Sequence, residues 1–139
     1  MNLDQVADLA VGWVNDPDSG VAGIDLSREG WLGIRFAQEV RDFTTLWLAI
    51  GDITVSFEAY LSPPPPKNPD KVYELCLKRN SSVWLAHIAI DRHGDLVIRG
   101  QFPIADLDER KLDEVIGATY ELVELTFGLV IRIGFRGEI

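Results

Sequence analysis

The chain has 139 residues, 47% hydrophobic and 25% charged, with 13 Lys and Arg against 22 Asp and Glu and a formal net charge of -9. This length fits one domain spanning residues 1–139, and the apolar share is too high for a disordered chain. The acidic balance argues against nucleic acid and anionic lipid as partners, because phosphates repel such a surface unless its basic residues gather on one face.

Cys76 is the single cysteine, so neither an internal disulfide nor a cysteine metal set exists, and a reducing, cytoplasmic location is expected. Met1–Gln5 carry no basic stretch leading into an apolar core, as a secretory signal would. No apolar run reaches the roughly 20 residues of a membrane span.

Asn2 with Gln5 has the spacing of a capping box, and Leu3, Val6, Ala7, Ala10, Val11 and Val14 follow as one helical stripe. Asn15-Asp16-Pro17 ends that helix. Asp18 to Gly30 reads as a polar connection with room for a brief strand around Ile24. Period-two alternation then predicts strands over Trp31–Gln38, Thr44–Ile50 and Ile53–Leu61, the last two joined by Gly51-Asp52. Connections this short imply an antiparallel meander.

Pro63 to Pro66 cannot lie inside a helix or sheet. The run reads as a stiff spacer, with a ligand for a proline-binding groove as the alternative. Asn68-Pro69 opens a helix that Asn80 closes. Val83–Ile90 and Asp95–Phe102 pair as a hairpin around Asp91-Arg92-His93-Gly94. Asp106 with Glu109 resembles a second capping box, opening a helix along Leu112, Val115, Ile116, Thr119, Leu122, Val123 and Phe127. Gly128 is its expected stop, and Leu129 to Phe135 reads equally as a last strand or as an apolar tail. The expected fold is α+β, an antiparallel sheet with helices on one face in the order α-β-β-β-α-β-β-α.

Three segments are similar to the YbjN family of bacterial proteins, which shares the fold of type III secretion chaperones. They are Tyr73-Glu74-Leu75-Cys76-Leu77-Lys78-Arg79-Asn80, then Ile88-Ala89-Ile90-Asp91-Arg92-His93-Gly94-Asp95-Leu96-Val97-Ile98-Arg99, and last Phe102-Pro103-Ile104-Ala105-Asp106-Leu107-Asp108. The resemblance implies protein binding, regulation or chaperoning, often as a dimer, and it brings no catalytic residue.

The residues themselves carry no phosphate loop, nucleophile elbow or metal-ligand spacing, and no cofactor is called for. His93, between Asp91 and Asp95, reads as part of a turn rather than a ligand, and His87 as a surface or interface residue. Cys76 on its apolar stripe reads as a packed side chain rather than a nucleophile. Asp106, Asp108 and Glu109 suit the positive end of a helix, while Glu121 and Glu124 read as solvated.

The tryptophans point elsewhere. Trp31, Trp47 and Trp84 fall on expected strands, and Trp13 on the first helix. They read equally as filling one core or, since a sheet covered on one side leaves its other face free, as contacts for a partner. Trp47, opposite the Leu46/Leu48/Ile50 face, is the leading candidate contact. The reading is a non-catalytic module that binds a protein through its sheet face or a strand edge, with a homodimer as a secondary expectation. The competing expectation is a small-molecule or enzymatic pocket between helix and sheet.

Overall fold

Alternation of apolar side chains decides the architecture. The computed structural model describes residues 1–139 as α1 (Leu3–Val14), β1 (Val21–Asp25), β2 (Leu32–Ala37), β3 (Phe43–Ile50), β4 (Thr54–Ser62), α2 (Pro69–Asn80), β5 (His87–Ile90), β6 (Leu96–Pro103) and α3 (Glu109–Gly134). A 3-10 turn, Ile104–Asp106, precedes α3. The six strands form one sheet ordered β1-β2-β3-β4-β6-β5, antiparallel throughout.

Ile34, Leu46, Ala59, Ile98 and Ile88 stand side by side across five strands, and all are buried. All three helices pack on that face: α1 against β1 and β2, α3 across β3 and β4, and α2 between α3 and β5. The α+β layer with helices on one side is therefore as the alternation predicts. The opposite face carries the row Gly33, Trp47, Glu58, Arg99 and His87, and no helix covers it.

The helix starts separate local from tertiary causes. The capping box of α1 forms, with Asn2 accepting from the Gln5 backbone at 2.9 Å and Gln5 accepting from the Asn2 backbone at 2.8 Å. At α3 the cap is Asp108, whose carboxylate accepts from the Lys111 backbone at 2.8 Å, rather than Asp106. Leu107 is buried in extended conformation, which holds the chain out of the helix for two more residues. Asn68 precedes α2 as expected but makes no side-chain cap; its amide donates to the Ile133 carbonyl at 3.1 Å.

The tail is the largest departure from expectation. Leu129 to Gly134 is neither strand nor loose end: α3 runs through Gly128 as one 26-residue helix, about 39 Å long. Thr126, Val130 and Gly134 continue the buried stripe at four-residue spacing. Gly134 is seated against Pro65 and Val72, where an added Cβ would stand 2.7 Å from Pro65. The Lys67 backbone also donates to the Gly134 carbonyl at 2.9 Å. The proline run thus joins β4 to α2 and is docked on the last turn of α3 through the buried Pro65.

Two strand boundaries also move. The brief strand expected around Ile24 is a five-residue edge strand, β1, over residues 21–25. Val83 to Ala86 is not strand, because Leu85 adopts a left-handed φ of 73° and β5 begins only at His87. There the chain folds over Gly100, where any Cβ would be driven into the Leu85 carbonyl oxygen and the Phe57 ring.

Candidate binding face

The uncovered face takes its shape from small residues under large ones. A Cβ on Gly33 would lie 3.0 Å from Asp25, Thr45 and the Trp47 ring, so glycine there lets Trp47 spread across β2. The loop before β2 returns over the same face. Arg28 sits with its guanidinium carbon 4.0 Å from the centre of the Trp31 ring and 5.7 Å from that of Trp47, within the range of a cation–π contact. Further across, Arg99 on β6 meets Glu58 on β4 at 3.1 Å, next to His87 on the edge strand.

Between Trp31, Glu58, His87 and Arg99 lies an open cavity of about 590 Å³. A second, of about 560 Å³, adjoins it between Arg28, Glu58, Arg99 and the Asp91-Arg92-His93 turn. Both concavities therefore lie on the free side of the sheet. Ser27 hydrogen bonds, the side-chain contribution first, hold the Asp25 carboxyl below its ordinary range.

The structure brings Trp31 and Trp47 together through Arg28 and leaves Trp84 apart. Trp31 lies just before β2, not within a strand, and both it and Trp47 are half-buried. Trp84 lies in the irregular stretch before β5, 68% exposed, with the Lys111 ammonium of α3 5.7 Å from its ring centre. Its assignment to a strand face fails because the left-handed turn at Leu85 breaks the alternation.

The other ionisable residues resolve simply. Asp91 accepts from the backbones of His93 at 2.8 Å and Asp95 at 3.0 Å, and Gly94 has φ 85°, so His93 belongs to a tight turn. Cys76 is buried, and burial pushes its thiol up to about 11. No group of three or more His, Cys, Asp or Glu is gathered as a metal-holding set.

Glu124 is not a solvated acid. It accepts from the Gln38 amide at 2.6 Å and from the backbones of Glu39 at 3.0 Å and Val40 at 3.2 Å. The same turn carries Arg41, which donates to the Leu61 carbonyl at 2.9 Å and the Tyr60 carbonyl at 2.7 Å, where the pairing of β4 slips. Together they pin the β2–β3 turn to α3 and to the bulge.

Sequence reasoning missed Arg28, Glu58 and Arg99. Arg28 gives no signal, since its loop has no period. The Arg99–His87 pairing was countable: a turn over Asp91 to Asp95 puts Ile90 opposite Leu96 and hence His87 opposite Arg99.

Residues 22–129 match the family described as "YbjN: Putative bacterial sensory transduction regulator". The chain belongs to the YbjN family. The YbjN match begins in β1 and ends within α3, so it contains every strand of the open face and leaves α1 outside. An uncharacterized protein of Mycobacterium leprae is 32% identical over 108 residues, 78% of this chain and 59% of that relative. Uncharacterized proteins of Mycobacterium bovis and Mycobacterium tuberculosis are 30% identical over 92 residues, 66% of this chain and 50% of each relative. The chain thus spans half to three-fifths of the curated relatives it matches. No helix is long and apolar enough to cross a membrane.

Proposed function

We propose that this YbjN chain is a non-catalytic regulatory or chaperone-like module, acting as one domain over residues 1–139, that binds a protein on its open sheet face. One observation carries the reading: the face left bare by all three helices is where Trp31, Trp47 and Arg28 stack together. Tryptophan and arginine are the residue types that dominate interface energetics, and Trp47 on β3, stacked with Arg28 and Trp31, has little entropy left to lose. The family's description as a regulator of sensory transduction agrees with a role exercised by contact. Trp84, beside edge strand β5, supplies a second contact for a partner that reaches the sheet edge. The expected location is cytoplasmic.

A homodimer is a weaker part of the proposal, resting on the family resemblance. The apolar residues after Gly128 do not argue for it, since Val130 and Gly134 are buried within the chain.

The test is a photo-crosslinking amino acid at position 47, with position 8 on the exposed side of α1 as reference. A discrete protein adduct from position 47 and none from position 8 is the expected result in the bacterial host. Equal yields at both positions, or none at 47, defeat the proposal.

A further inference from the structure

Charge on the open face runs against the charge of the molecule. In a chain of net -9, the two adjoining cavities draw together Arg28, Arg92 and Arg99 against the carboxylates of Glu58 and Asp91 alone. Both carboxylates are already engaged: Glu58 holds Arg99 at 3.1 Å, and Asp91 accepts two backbone N–H groups of its own turn. The four ion pairs of the chain leave Arg28 and Arg92 with no carboxylate partner. Arg28 rests on Trp31, and Arg92 only reaches His93, at 3.4 Å.

From this charge complementarity we infer that the open face is a receptor for a short acidic peptide segment, whose Asp or Glu carboxylates engage Arg28 and Arg92. This rests on the docking reading above and names the chemistry of the partner. Glu58 on Arg99 is the internal precedent, a carboxylate held by a guanidinium of this same face. Trp31 and Trp47 provide the apolar floor for a side chain between the acids. A nucleic acid is disfavoured because its continuous phosphates extend past the cationic patch onto a surface of net negative charge. A short segment keeps its charges within the patch, inside about one Debye length of the arginines at physiological salt.

Selection from short random peptides displayed on phage, followed by binding isotherms on the chosen peptide, tests the inference. Wild type is expected to enrich Asp- and Glu-rich sequences. Arg28→Ala with Arg92→Ala is expected to lose about tenfold in affinity for the chosen peptide, a change of about 1.4 kcal/mol. The charge reversal Arg28→Glu with Arg92→Glu is expected to turn the enrichment toward Lys and Arg. Enrichment of neutral or basic peptides by wild type overturns the inference, as does a phosphopeptide binding better than its Glu counterpart, or unchanged affinity in the double alanine variant. If the enriched peptides are not acidic yet are lost with Trp47→Ala, the face still docks a partner and only its acidic character is refuted. Circular dichroism of each variant establishes that the fold persists.

Discussion

Gly100→Ala is the sharpest test of how the sheet is covered. The added methyl would lie well under 3.0 Å from the Leu85 carbonyl oxygen and the tip of the Phe57 ring, with a second Phe57 atom at 2.7 Å. Neither neighbour yields easily. The Leu85 carbonyl is backbone held at φ 73°, and Phe57 is 1% exposed, with its ring centroid 6.5 Å from that of Phe102. Overpacking of this kind costs about 1–3 kcal/mol, and two rigid neighbours place the site near the top of that range. Lower entropy of the unfolded alanine chain offsets about 0.4–1 kcal/mol. The net expectation is a loss of about 2 kcal/mol, or roughly 6 °C in Tm for a chain of this size. The assay is urea and thermal unfolding beside Gly117→Ala, where a Cβ meets nothing within 4 Å and a mid-helix alanine should stabilise by about 1 kcal/mol. An unchanged or raised Tm for Gly100→Ala would refute the packing described for residues 83–86.

Other substitutions probe the remaining elements. Gly128→Ala should raise stability by about 1 kcal/mol in urea melts if α3 is continuous; a glycine serving as a left-handed helix stop would give the opposite sign. Glu124→Ala removes an acceptor for three donors and should cost about 1–2 kcal/mol, with faster amide exchange at Glu39 and Val40; unchanged exchange would contradict the clamp. For Cys76 the folded thiol titrates at about 11, above its unfolded value near 9, so its stabilising contribution is complete below pH 9 and fades as pH rises toward 11. Alkaline melts should show that slope in wild type and not in Cys76→Ala, and thiol reagents at pH 8 should label the unfolded chain much faster than the folded one.

Local signals were legible wherever local physics decides. Asn2 with Gln5 caps α1 as its spacing demands, and the period-two runs put Leu46, Leu48, Val55 and Phe57 on the buried face. The failures share one cause, which is distant contact overriding local preference. Gly128 looks like a stop, but Gly134 docked on Pro65 and Val72 carries the helix past it. Glu124 looks like a solvated acid until the β2–β3 turn, more than eighty residues earlier, is brought to it. Edge strand β1 was legible only as a brief strand around Ile24, because Val21-Ala22-Gly23 interrupts the alternation where its pairing with β2 also slips. Of the open face, Trp47 was readable from its parity opposite Leu46 and Leu48. The grouping of Trp31 with Trp47 was not, since it depends on Arg28 in a loop without period.

Amide hydrogen exchange on the chain alone and with the protein captured through position 47 bears most directly on where binding occurs. Slowed exchange concentrated at Trp31, Trp47, Glu58, Arg99 and His87, with α1 and α3 unaltered, is the expected pattern. Protection confined to the helical layer, with the open face exchanging as freely as before, would contradict the assignment of that face as the docking surface.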